Sequence, residues 1–401
     1  MTGPLAVLLA PVRSLAWTAM LAASVAMAPF VAPPDPRPSP AAARGGPGLV
    51  YFGTYTGPKS RGIYVASFDP ATGRIGPLRV AAETKNPSFL ALHPTRPFLY
   101  AVNETGDYEG QKAGAVTAFA LDRATGDLRA INQVATRGAD PCHLAVDAGG
   151  RRLLVANYSG GSVISLPIRG DGGLQADGVF VQHAGTGADP RRQAGPHAHM
   201  IEPDPTGRFV LAADLGLDEV LVYRFDADRG TLEPSDPAYA KLAPGTGPRH
   251  FAFSPDGHDV YVLGEMKIGV TAFKYDSGHL TAYQTISAMA GGAEPTPADS
   301  GAEIVMHPSG RFVYTSQRGP DDIAVFARDG ATGRLTLVEH VPAGGRSPRG
   351  FAVDPSGRWL VAAHQKSDQA VVFAIDGSTG RLTPTGQTVE LGAPVAVTFV
   401  P

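Results

Sequence analysis

The chain has one cysteine, Cys142, among 401 residues. No internal disulfide can form, no cysteine lies near the N-terminus to carry a lipid, and a cysteine-built metal cluster is excluded. Basic charge is not in excess either: 34 Lys and Arg stand against 37 Asp and Glu, a net charge of -3. Nothing there favours a phosphate backbone, so nucleic acid is not an expected partner. Gly-x-Ser-x-Gly, His-Glu-x-x-His, the Gly-x-x-x-x-Gly-Lys phosphate loop and a complete Gly-x-Gly-x-x-Gly are also missing. Serine-hydrolase, zincin and nucleotide-binding readings fall with them. After the single basic Arg13 an apolar run extends from Leu15 to Ala28, and it ends in Ala26-Met27-Ala28. It is short for a membrane span and has the small-residue ending of a cleavage site. Residues 1–28 are therefore expected to be an export signal, 29–48 a Pro/Ala/Gly linker and 49–401 the folded domain, with no membrane span left after cleavage. An uncleaved anchor is the alternative.

What the chain has in quantity is glycine and proline, 49 and 36 residues, and they fall at regular places. Six similar turns occur: "HPTRPFLYAVNE", "DAGGRRLLVANY", "DPTGRFVLAADL", "SPDGHDVYVLGE", "HPSGRFVYTSQR" and "DPSGRWLVAAHQ". Their first residues, His93, Asp147, Asp204, Ser254, His307 and Asp354, are 54, 57, 50, 53 and 47 residues apart. Around each lie alternating apolar residues of strand period, as in "DIAVFA" and "QAVVFAI", closed by turns such as "DGATGRL". Six units are complete. An N-terminal piece with only later strands and a C-terminal "PVAVTFVP" make a seventh, whose joining closes the ring and removes open edges. The expected fold is all-β, a seven-bladed β-propeller of four-stranded blades.

Two positions vary where the framework does not. Five residues before each anchor stand Ser88, Cys142, His199, Arg249, Ala302 and Arg349. Ten or eleven after it stand Glu104, Asn157, Asp214, Glu265, Arg318 and His364. Antiparallel neighbours bring both slots to one edge of a blade, so with the first strand innermost they ring one mouth of the central channel. Such a concave, polar opening is the expected binding site. His143 and His250, one residue further on from the first slot, are expected on the opposite side of their strands; Glu303 shares that register by count, but irregular strand starts leave it a candidate site residue. His197 and His199 with Asp214 or Glu265 would make a three-ligand metal set, but His-x-His is weak evidence and no metal or cofactor is expected.

In these residues the chain resembles the lactonase family of seven-bladed propellers, which includes propeller-type 6-phosphogluconolactonase and fungal carboxy-cis,cis-muconate cyclase. The likeness runs through "YFGTYTG", "NPSFLALHP", "PCHLAVD", "GPHAHMIEPDPTGRFVLAADLGLDEV", "GPRHFAFSPDG", "LGE", "AEIVMHPSGRFVYTSQRG" and "PRGFAVDPSGR". The resemblance implies a catalytic set of His199 or His197, Arg249, Glu265 and Arg318. His199 would be the base, Arg249 the clamp on an oxyanion or carboxylate, Arg318 a second anion clamp, and Glu265 an orienter or acid. His197, Asp214, Arg349, Glu104 and Asn157 are then substrate-binding candidates. The implied activity is opening of a lactone of an anionic small molecule; export is expected from the leader alone, and a monomer is expected. A muconate-type cycloisomerase, or a non-catalytic envelope propeller binding through the same face, are the alternatives.

Overall fold

Residues 48–400 are described by a computed structural model; the expected export signal and most of the linker lie outside them. The described residues form seven antiparallel sheets; six are four strands paired in sequence order, and in the seventh the last strand of the domain pairs with the first, with Arg74–Ile75 and Arg79–Glu83 both on Gly62–Asp69. Blade 1 comprises Leu90–Leu92, Phe98–Asn103, Ala115–Leu121 and Leu128–Ala135. Blade 4 comprises Pro248–Phe253, Asp259–Gly264, Gly269–Asp276 and His279–Ser287, and blade 5 starts with Ser300–Met306 and Phe312–Arg318. In blade 7 the inner strand is Pro394–Val400, paired with Gly48–Thr54 through registers such as Leu49↔Val400 and Phe52↔Val397. The ring is thus closed by the two ends of the domain. First strands of successive blades lie against one another all the way round, so they are the innermost. Among the described residues no helix is long and apolar enough to cross a membrane.

The turns show why the anchor is Asp, Ser or His. Asp354 Oδ1 accepts the amides of Arg358 at 2.9 Å and Trp359 at 2.8 Å, while Oδ2 accepts that of Ser356 at 3.0 Å. Asp147 and Asp204 do the same for their own turns. In His93 and His307 the ring Nδ1 is the acceptor, and Nε2 reaches a glycine carbonyl of the next blade, Gly150 at 3.1 Å and Gly357 at 2.8 Å. Those glycines have φ of 66° and 72°, and a Cβ would come within 2.3 and 2.7 Å of the imidazoles. Only glycine suits both the left-handed backbone and the close approach.

Blade faces pack through the apolar alternation. Tyr261, Val270, Val313 and Phe326 belong to one core layer between blades 4 and 5, and burying each large side chain contributes about 1.5–3 kcal/mol. Tyrosines on second strands also latch blade to blade. Tyr51, Tyr100, Tyr261 and Tyr314 donate to the carbonyls of Gly126, Gly172, Gly333 and Gly380 at 2.7 to 3.0 Å.

One irregularity recurs at the central end. The inner strand slips register at its start: Pro141↔Asn157 gives way to His143↔Ala156, Ala198↔Asp214 to Met200↔Ala213, Pro248↔Gly264 to His250↔Leu263, and Pro348↔His364 to Gly350↔Ala363. The extra residues of these bulges are Cys142, His199, Arg249 and Arg349. A bulge re-aims side chains out of the regular alternation, and here the repeat turns one framework defect into a ring of outward-differing groups.

Candidate active site at the central mouth

Bulge residues from several blades meet in the centre. Ser88, Cys142, His199, Arg249 and Arg349 line one small cavity together with Phe89, Glu104, His250, Glu303 and Val395. Arg249 and His199 are almost fully buried. Beside them the Glu265 carboxylate is the hub of three guanidinium groups: Oε2 lies 3.1 Å from Arg249 Nε and 3.0 Å from Arg318 Nη2, and Oε1 lies 2.6 Å from Arg192 Nη2. His199 Nε2 stands 4.0 Å from the same Oε2. The four expected catalytic residues are therefore brought together.

Electrostatics fix their protonation states. Burial would raise the Glu265 carboxyl, but Arg318, Arg249 and Arg192 overcome it and hold it at about 2. It is ionised at neutral pH and has no proton to give, which leaves it the orienting role and removes the acid one. Burial drags Arg318 down to about 10 despite Glu265, so it stays charged. Burial first, then Arg249 and His250, push the His199 imidazole well below its usual value; the ring is neutral.

The second slot divides in two. Residues eleven after the anchor, Glu104, Glu265 and Arg318, reach the centre. Glu104 accepts from Tyr55 Oη at 2.8 Å and from Ser88. Those ten after it turn into their blades, because strand side chains alternate. Asp214, fully buried, binds His183 Nδ1 at 2.6 Å and the His197 amide at 2.7 Å, and His183 Nε2 in turn meets Tyr223 at 2.9 Å. Asn157 donates to Ser162 at 3.1 Å and Thr136 at 3.3 Å. Asp214 and Asn157, expected as substrate contacts, are instead internal ties of blades 3 and 2. His197 stacks on Tyr158 at 4.7 Å and its Nδ1 meets the Tyr158 carbonyl at 3.1 Å. The His197, His199 and Asp214 donors are thus not gathered at one point.

A further correction concerns His250, expected to face away, while Glu303, left open by the count, is settled inward. His250 and Glu303 line the central cavity, and His143 packs against them, its ring 5.4 Å from that of His250 and 4.2 Å from Phe89. The bulge opens two successive side chains towards the centre, and a strict alternation from the anchor does not reveal it. Arg349 does reach the cavity, with its guanidinium 5.4 Å over the Tyr55 ring.

Tyr158 and Arg192 were not foreseen. Tyr158 is eleven after its anchor, the register of Glu265, so its position was readable had the count been held to one parity. Its ring meets His199 edge-on at 5.4 Å. Arg192 comes from the Gly-rich loop 185–195, which has no repeat register. Gln193, fully buried, pins that loop: its amide donates to Leu215 O and to Asp218 Oδ1, both at 2.8 Å, and Asp218 also accepts the Gly247 amide at 2.8 Å. Arg192 then spans from Glu265 to a cleft of about 860 Å³ between this loop and Pro295–Asp299, floored by Gly245 and Met266.

Seven closed blades with a buried imidazole and arginine-clamped carboxylate at the central mouth define a propeller of the lactonase type. The chain belongs to the family described as "Lactonase, 7-bladed beta-propeller", whose sequence model matches residues 49–399. It is 36% identical over 308 residues to a 6-phosphogluconolactonase of Bacillus subtilis, covering 76% of this chain and 85% of that one. A 6-phosphogluconolactonase of Formosa agariphila is 32% identical over 311 residues, covering 76% and 86%. Among solved structures, the periplasmic gluconolactonase of Pseudomonas aeruginosa superposes with a TM-score of 0.82 at 37% identity, covering 89% of this chain and 99% of that one.

Proposed function

We propose that the protein is a lactone hydrolase acting on an anionic small molecule, with the Glu265-centred arginine cluster as its electrostatic core. The observation that carries this reading is the surplus of guanidinium: Arg249, buried, and Arg318 and Arg349, mostly buried, surround the site, Arg192 reaches it from an exposed loop, and Arg318 Nε has no partner. Preorganised cations of this kind match the charge that builds on a lactone carbonyl oxygen, or a carboxylate or phosphate carried by the substrate. Water attack also needs an imidazole that is neutral at working pH, and those of His199 and His250, both at the cavity, are in that state. The cleft beside Arg192 admits the body of the substrate, and Glu265 holds the guanidinium groups in place.

Export follows from the N-terminal apolar stretch and its Ala26-Met27-Ala28 ending, supported by a structural neighbour that is periplasmic. An exported enzyme meets few phosphorylated sugar lactones, which are made inside cells. Purified mature protein, assayed at neutral pH against sugar, phosphosugar and muconate-type lactones with and without chelator, tests the activity. Turnover that persists with chelator and is lost in His199→Ala and Arg249→Ala supports it; no turnover across the panel favours a binding propeller. N-terminal sequencing of the envelope fraction should begin after Ala28, and size-exclusion chromatography should show a monomer.

A further inference from the structure

The reaction proposed above needs a proton acceptor that is unprotonated yet still basic near neutral pH. His199 is desolvated, beside Arg249, and has no carboxylate within hydrogen-bond reach to stabilise its imidazolium, Glu265 Oε2 lying 4.0 Å from its Nε2. Blade 5 supplies something different. Its first-slot residue is Ala302, and the side chain that reaches the centre is that of Glu303. Glu303 Oε1 lies 2.7 Å from His250 Nδ1. His250 Nε2, in contrast, has no hydrogen-bond partner, although the side chain is only 4% exposed. Glu303 and His250 line, with His199 and Arg249, a cavity of about 10 Å³, which is at the threshold for one water.

We propose that His250 is the proton acceptor of the reaction and Glu303 its positioning residue, binding Nδ1–H and leaving the Nε2 lone pair to a water held in this cavity. A carboxylate on one imidazole nitrogen fixes the tautomer and stabilises the imidazolium that forms at the other. Nε2 takes one proton as the water oxygen bonds to the lactone carbonyl carbon, and the carbonyl electron pair moves to the oxygen facing Arg249 or Arg318. The ring C–O bond then breaks, the carbonyl re-forms, and the imidazolium returns the proton to the departing alkoxide, giving the open hydroxy acid. His199 is left to orient water or carbonyl.

The surroundings set when the pair is competent. Facing it are Arg249 from its own strand, Glu265 from the same blade, Arg318 and Arg349 from the next two blades, and the imidazoles of His143 and His199 from blades 2 and 3. Burial raises Glu303 to about 7, against the pull of Arg249, while burial and Arg249 hold His250 well below its usual value. The proton on such a hydrogen-bonded pair belongs to both groups. Once it leaves, near neutral pH, the dyad is a base, so activity rises with pH.

This inference rests on the hydrolase reading. The test is the pH dependence of kcat/KM, on a lactone the wild type turns over, for wild type, Glu303→Gln, Glu303→Asp, His250→Asn and His199→Asn. The wild type should show a rising limb near pH 7. His250→Asn should lose about 10² to 10⁴-fold in kcat, the usual worth of general base catalysis. Glu303→Gln should displace or abolish the limb, and Glu303→Asp should restore part of it; His199→Asn should keep it. An active wild type whose limb survives in Glu303→Gln, or vanishes in His199→Asn alone, overturns the dyad. A wild type that opens no lactone overturns the hydrolase reading itself. Should His250→Asn fail to fold, the His250 ring nitrogens read by NMR decide the pair: a transition near pH 7 that moves in Glu303→Gln supports it, and its absence overturns it.

Discussion

The two ends of each inner hairpin treat polar side chains in opposite ways. At the turn end, Asp147, Asp204 and Asp354 are buried and bind backbone amides two to five residues on. At the central end, Arg249 and Glu265 are equally buried, yet their partners include Arg192, 73 positions from Glu265, and groups of other blades. Backbone amides are the same in every blade, so the turns converge on one answer. Partners at the mouth are the other blades' side chains, and no sevenfold pattern can satisfy a ligand that lacks that symmetry. Damage at a turn is local; damage at the mouth reaches several blades at once.

Glu265→Gln should break this contrast most. It leaves three guanidinium groups without their shared carboxylate, and losing one partner of a buried ion pair costs about 3–5 kcal/mol. Denaturant unfolding at neutral pH measures it. The pH dependence has a defined sign: Glu265 is held at about 2 against an ordinary 4.5, so its stabilisation is full above the ordinary value and lost as the pH falls through the lower one. The gap between wild type and variant should close over that window. Next in size, Arg249→Ala should lower kcat by about 10² to 10³ if its guanidinium meets the oxyanion, with Glu265 still paired to Arg318 and Arg192.

The turn end should respond in stability alone. Asp354→Ala strands buried amides at a cost of about 1–3 kcal/mol, and kcat should stay at the wild-type value. Tyr314→Phe, which removes the latch to Gly380, should cost about 1 kcal/mol, visible as a small shift of the unfolding midpoint. Loss of turnover in Asp354→Ala would show that turns and mouth are coupled and spoil the comparison.

Much of this architecture was legible before any coordinates. The turn spacing named the blades, and the slot five before the anchor named His199, Arg249 and Arg349, because strand period and antiparallel pairing are local rules that repeat. The reading failed where parity mattered: treating ten and eleven residues after the anchor as one position mixed Asp214 and Asn157, which face into blades, with Glu265 and Arg318, which face the centre. His250 was set aside, and Glu303 left undecided, for the same kind of reason, since a bulge breaks the alternation without a local signature. Arg192 sits on a loop outside the repeat, where counting offers nothing.

By itself the sequence determined the number of blades, the closure by both ends and the ring of variable positions, all consequences of short-range backbone geometry repeated along the chain. Only the tertiary structure decided which of those side chains share a cavity, that one carboxylate serves three arginines, and that Glu303 holds His250. Those are distances between residues far apart in the chain, and they set the burial and the fields that fix each proton.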